Sequence, residues 1–284
     1  MNPNPHAVDI FREAAELNRS DPLRSGSLLE FPNYGQLVMT GDLHGHRRNF
    51  ERLQHYCDLE HFGARYVVLH EIIHEQSDEL AGRDRSHDLL LQAAMWKVEF
   101  PSQVHFLVGN HDLAQLSGHE ITKNGRIVTV AFEQSVRETY GTSSREIMDA
   151  ICDFLRSLPL AGRTANRVFL SHSLPSGREL PVFDPTVVRR VPTPADLGEH
   201  GSAHALVWGR YQPESVVAAM REWFDVDYFL CGHQPQESGF DVLHSRVIIL
   251  ASDHNHGVFL PFDLSKPATL ESLTSHIRPL ASLE

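Results

Sequence analysis

Short apolar runs punctuate the chain: "QLVMT" at 36–40, "YVVL" at 66–69, "VHFLV" at 104–108, "RVFLS" at 167–171, "DYFLC" at 227–231 and "RVIILA" at 246–251. Rich in Val, Ile, Leu and Phe and bounded by turn-forming residues, they predict buried strands. Between them lie stretches with helical spacing: "RRNFERLQHYCD", "SHDLLLQAAMWKVEF", "SREIMDAICDFLRSL" and "PESVVAAMREWF". In the second of these, Leu89, Ala93, Trp96 and Val98 are expected to face the core. "AVDIFREAAELN", residues 7–18, predicts an amphipathic helix peripheral to the chemistry, and the proline-rich region 175–201 predicts a long loop. Strands alternating with helices argue for α/β layers.

The runs stop in a consistent way. "LVMT" is followed by Gly41, Asp42, Leu43 and His44; "VHFLV" by Gly109, Asn110, His111 and Asp112; "RVFLS" by His172; "DYFLC" by Gly232 and His233. Functional groups gather at the carboxyl ends of strands in α/β sheets, so residues distant in sequence are expected to converge there. "YVVL" followed by His70 and Glu71 occupies the same kind of position. Carboxylate, amide and imidazole donors together suit Mn, Fe or Zn ions. One more bridging carboxylate would complete two adjacent sites, and two such metals activate a nucleophile and clamp phosphoryl oxygens. The reaction class implied is phosphoester hydrolysis.

"GDLHG", "GNHD", "LSHSLPSG" and "GHQPQESGF", in this order, resemble the calcineurin-like metallophosphoesterases. His233 followed by Gln234, Glu237, Gly239 and Phe240 is similar to the corresponding segment of the phosphoprotein phosphatases, and "ILASDHNHGVFLPFDL" is similar to their closing strands. The resemblance implies a β-sandwich flanked by helices, in four layers α-β-β-α, as a catalytic domain over residues 35–265. An N-terminal helical extension, 1–34, precedes it and a tail, 266–284, follows. The implied cofactors are two divalent or trivalent ions, Mn, Fe or Zn. Asp42 and His44 would bind the first, Asn110, His172 and His233 the second, and attack would come from a hydroxide bridging the pair. His111 would be the general acid, and Arg210 would bind phosphate.

One motif departs from the pattern. The family's second motif runs G-D-x-x-D-R-G, with a bridging Asp, an Asp that orients the general acid, and a phosphate-binding Arg. Residues 70–76 here read His-Glu-Ile-Ile-His-Glu-Gln. Glu71 is expected to bridge the metals, and His74 can accept a hydrogen bond from His111, with Asp112 or Glu75 supplying charge. Glu75 beside a phosphate would repel it unless turned away, so Arg47, Arg48, Arg83 and Arg85 are candidate replacements for the missing arginine. Asp253 and His254 are outer-site candidates. His55, His61, His87 and His105 are expected to be surface or core residues.

Composition narrows the partners. The chain of 284 residues carries a net charge of -12, which argues against a nucleic acid duplex as partner. It has three scattered cysteines, no apolar run long enough for a bilayer and no signal-peptide pattern, so a cytoplasmic location without membrane contact is expected. The expected substrate is a phosphorylated protein or a small phosphoester. The competing readings are a nucleotide phosphoesterase, acting on a dinucleoside polyphosphate or cyclic nucleotide, and a catalytically silent metal-binding scaffold.

Overall fold

The computed structural model describes residues 5–75, 83–123 and 125–283; Gln76, the last position of the altered motif, lies outside them. The apolar runs form two sheets. Five strands align in the order Arg278–Pro279, Val258–Asp263, Gln36–Asp42, Arg65–His70 and Val104–Leu107. The other sheet has seven: Arg24–Ser25, Leu28–Phe31, Ala161–Thr164, Val168–Ser171, Tyr228–Cys231, Val247–Leu250 and Phe240–Leu243.

Side-chain alternation divides the core. Leu37, Met39 and Val68 join Leu170, Leu230, Ile248 and Leu250 in one cluster between the sheets. Their strand neighbours Val38, Val67 and Leu69, and Phe169, Phe229 and Ile249, belong to a second cluster shared with the helices. Successive residues of a strand point to opposite faces, so strands apolar on both faces are what a sandwich with helices outside it requires. The result is a mixed α/β fold whose sheets are flanked by helices.

The two ends of the chain are built into these layers. Leu28–Phe31 pairs in parallel with Ala161–Thr164, and Arg278–Pro279 pairs with Val258 and Phe259. The first helix, Pro5–Arg19, buries Ala7, Val8, Phe11, Ala14 and Ala15 against the helices Ser86–Glu99 and Ser144–Ser157. Just beyond it, Asp21 accepts from Leu23 N at 2.9 Å and lies 3.1 Å from Lys97 Nζ and 2.9 Å from His105 Nδ1. Asp21, Lys97 and His105 are all buried. His87 is buried as well, and His55 and His61 are exposed.

Each sheet contains three parallel strands whose carboxyl ends meet at one edge of the sandwich. There Asp42 bridges to Ala251 across the sheets. Gly41 permits this approach: a Cβ at that position would lie 2.0 Å from Leu250 O. The same end of the Gln36–Asp42 strand has a register irregularity between Met39 and Asp42, a device that re-aims a side chain.

Candidate metal centre

The strand ends bring the expected ligands together. His172 Nε2 and His233 Nδ1 lie 2.9 and 2.8 Å from Asn110 Oδ1. Glu71 Oε1 is 3.5 Å from His172 Nε2, and Glu71 Oε2 is 3.4 Å from His44 Nε2. Asp42 Oδ1 is 3.5 Å from His172 Nδ1, and Asp42 Oδ2 accepts from His233 N. Glu71 therefore faces both groups of candidate ligands. Its extra methylene is accommodated at Gly109, where a Cβ would lie 2.3 Å from Glu71 Oε1. His44, Glu71, His74 and His233 all have positive φ, at 40°, 35°, 66° and 68°. Side chains rarely adopt this left-handed backbone, and such strain concentrates at functional sites.

Burial dominates the electrostatics. It pushes the Asp42 carboxyl up to about 7, and it pushes Glu71 well above the ordinary range, with Asp42 adding repulsion. Burial pushes His44, His111 and His172 well below the ordinary imidazole value, and His233 down to about 3. Neutral imidazoles offer lone pairs to a metal, and two crowded carboxylates need a cation to remain ionised. Asp42 Oδ1, His172 Nδ1 and His233 Nε2 are buried without a hydrogen-bond partner among the described residues. Unsatisfied buried polar atoms are costly, and metal ions coordinated here would satisfy them. The donor set thus fits ions accepting mixed oxygen and nitrogen ligands.

The altered motif forms a relay. His74 Nδ1 lies 2.8 Å from His111 Nδ1, and His74 Nε2 lies 2.9 Å from Gln115 Oε1. Gln115 Nε2 donates to Glu133 Oε1 at 3.2 Å. A carboxylate only accepts, so Glu133 orients the Gln115 amide with its oxygen toward His74. His74 then carries its proton on Nε2, and its Nδ1 accepts from His111 Nδ1–H. The other ring nitrogen of His111, Nε2, is left for chemistry.

The remaining candidates fall in different places. Asp112 accepts from Gly109 N at 2.8 Å and caps the Asn110–Ser117 helix. Glu75 accepts from Arg85 N at 2.8 Å, which directs its charge into the backbone of the following segment. Arg85 pairs with Asp88 at 2.6 Å, Arg83 reaches Glu138 at 3.7 Å, and Arg48 is exposed. The charge of Arg47 bears on Glu75. Arg210 is exposed at a cavity of about 590 Å³ lined also by Arg178, Trp208 and Tyr211, and its charge bears on His172 and His233. His254 Nε2 meets Gln236 O at 2.9 Å, and Asp253 contributes charge near Asp42.

Sequence reasoning missed Lys123. It ends the two-residue strand Thr122–Lys123, and its Nζ lies 3.5 Å from His44 Nε2. Burial lowers its pKa, opposed by the charges of Glu71 and Asp42. A lone lysine on a short hairpin carries no sequence signal. Gln115 was legible in principle, since it lies four residues after His111 and so on the same helix face.

Residues 36–237 match the family described as calcineurin-like phosphoesterase. Among solved structures, a protein serine/threonine phosphatase from Saccharomyces cerevisiae is similar at 15% identity and a TM-score of 0.71, covering 97% of this chain and 92% of its own. The cold-active protein-tyrosine phosphatase of a psychrophilic Shewanella species is similar at 15% identity and a TM-score of 0.60, covering 93% of this chain and 84% of its own. At these identities the likeness is one of fold.

Proposed function

This chain belongs to the calcineurin-like phosphoesterase family and is a metal-dependent phosphoesterase, and on that premise we propose that it hydrolyses phosphoserine or phosphothreonine monoesters in proteins. The observation that carries the reading is the chain of contacts of 2.8–3.5 Å that joins Asp42, His44, Glu71, Asn110, His172 and His233, with the His111 relay beside it. Those six residues would hold two ions, which when bound supply Lewis acidity toward phosphoryl oxygens and lower the pKa of a coordinated water.

The chain's own residues do the rest. Arg210 and Lys123 offer positive charge to the substrate phosphate, and the fork of Arg210 can pair with two of its oxygens. His111 holds a proton at Nε2 for the leaving oxygen. The phosphate's negative charge favours the protonated ring, and the relay through His74 and Gln115 ends on the Glu133 carboxylate, which stabilises it further. Glu75, tied to Arg85 N, is kept from repelling the substrate. Support for a protein substrate comes from the open groove beside Arg210, with Tyr211 85% exposed at its edge, and from the two structural neighbours, both named as protein phosphatases.

The test is turnover by protein stripped with a chelator and reloaded with Mn²⁺, Fe²⁺ or Zn²⁺. Phosphoserine and phosphothreonine peptides are compared with phosphotyrosine peptides, dinucleoside polyphosphates and cyclic nucleotides. Serine and threonine peptides should turn over at least about tenfold faster than the others, and His111→Ala should lose about 10²–10⁴-fold while retaining its metal. Preference for nucleotides or phosphotyrosine would overturn the substrate assignment. Two bound metals with no turnover of any phosphoester would overturn the activity.

A further inference from the structure

We propose that His70 is a metal ligand of this centre, joining Asp42 and His172 in a set of two imidazoles and one carboxylate. The proposal rests on the reading that the centre binds metal, and it adds a ligand at a position where the family's second motif has glycine and offers none.

His70 is the last residue of the Arg65–His70 strand and pairs in register with Asp42 on the neighbouring parallel strand. Side chains paired this way project from the same face of a sheet, and both residues close their strands at the same end of the sandwich. His70 is fully buried, and among the described residues neither ring nitrogen has a hydrogen-bond partner. A histidine retained in a core normally bonds through at least one nitrogen, because an unpaired polar group in a dry interior is costly. If packing alone mattered, leucine would fill the volume without that cost.

The orphaned nitrogens of His70 are not isolated. Asp42 Oδ1 and His172 Nδ1 are also buried without hydrogen-bond partners among the described residues, and they lie 3.5 Å apart. Donor atoms of Asp42, His70 and His172 all fall within 4.8 Å of one another, and the His70 and His172 rings are 5.9 Å apart at their centroids. Three unsatisfied buried groups of metal-ligand type thus converge. Gly232 closes the same space: a Cβ there would lie 2.3 Å from Asp42 Oδ1 and 3.2 Å from His70 Nδ1. The absence of a side chain at 232 leaves room beside these donor atoms.

His172 therefore shows its two nitrogens to different partners. Nε2 faces Asn110 and Glu71, and Nδ1 faces Asp42. A neutral imidazole has one lone pair, so His172 joins an ion on its Nδ1 side in the tautomer whose Nε2–H donates to Asn110 Oδ1, and on that side His70 supplies the second nitrogen. Two imidazoles with a carboxylate favour Zn²⁺ or Fe²⁺ over Mg²⁺ or Mn²⁺. The extra ligand thus biases this chain toward the more strongly nitrogen-binding metals.

The test is a crystal of the full chain loaded with Zn²⁺, with anomalous difference maps collected at the zinc edge. A peak about 2.0–2.1 Å from a His70 nitrogen is the expected result. Peaks confined to Asn110, His172 and His233, with His70 out of bonding reach, would overturn the proposal and leave metal dependence intact. No peak at the strand ends would instead sink metal dependence itself. In parallel, His70→Gln and His70→Gly are checked for folding by circular dichroism and titrated with Zn²⁺ against a chelating indicator. Zinc affinity should fall at least about tenfold, in line with the 10–100-fold losses that perturbed metal sites show. A folded variant with unchanged zinc affinity and stoichiometry would overturn the assignment, and if neither variant folds the wild-type crystal decides.

Discussion

Gln115→Leu isolates the relay behind His111. Leucine keeps most of the buried volume but removes the acceptor 2.9 Å from His74 Nε2 and the donor 3.2 Å from Glu133. In the resting protein this strands the His74 N–H, at a cost to stability of about 1–3 kcal/mol. The connection to a carboxylate favours the protonated ring, and burial by itself holds His111 well below the ordinary imidazole range, so losing it lowers the fraction of His111 that carries the acid proton. A hydrogen bond to a charged group contributes about 1.5–3 kcal/mol, which corresponds to a fall in kcat of about 10–150-fold. The assay compares a phosphoserine peptide, whose alkoxide leaving group needs a proton, with an aryl phosphate, whose phenolate leaves without one. The peptide should suffer the full loss and the aryl ester only a few-fold one, with KM nearly unchanged for both. Equal losses on the two substrates, or none on the peptide, would refute the relay.

Further substitutions probe the architecture around the site and away from it. Gly109→Ala places a methyl where Glu71 Oε1 now lies, 2.3 Å away, and should reduce kcat/KM by about 10²-fold through displacement of that carboxylate. Combining it with Glu71→Asp should recover much of the loss, and strictly multiplicative losses would show that the two positions do not share this space. Away from the site, burial raises the Asp21 carboxyl, but the His105 hydrogen bond, the His105 and Lys97 charges and the Leu23 amide outweigh it and hold the group at about 2. Because this folded pKa lies below the ordinary 3.8, Asp21 stabilises the fold above that value by about 2 kcal/mol, and the contribution disappears as pH falls toward 2. Asp21→Ala should strand the buried Lys97 ammonium, cost about 3 kcal/mol in denaturant unfolding at pH 7, and flatten the acid limb of stability against pH; an unchanged acid limb would contradict this.

What the amino-acid order determined by itself was local and periodic. The apolar runs became the parallel strands, because a strand covered on both faces needs an unbroken apolar stretch that is visible in one dimension. The convergence of Asp42, Asn110, His172 and His233 was legible because each follows such a run, directly or after one glycine. The two-layer split was hidden, since Val38 and Met39 are equally apolar and only their alternation into different clusters assigns them to opposite faces. The structural roles of residues 1–34 and 266–284 were hidden too, because their strands pair with segments far away in the chain.

The altered second motif marks the boundary most clearly. Its sequence identified His70, Glu71, His74 and Glu75 as a departure but could not say where four ionisable side chains point. The left-handed turns at Glu71 and His74, together with the glycines at 109 and 232, send Glu71 between the ligand groups and His74 onto His111. They also leave His70 against Asp42 and turn Glu75 to Arg85 N. Lys123, Gln115 and Glu133 join from segments with no motif of their own. Residue type sets which proton or metal a side chain can hold, whereas direction, burial and partner come from contacts across the chain, and these only the tertiary structure decided.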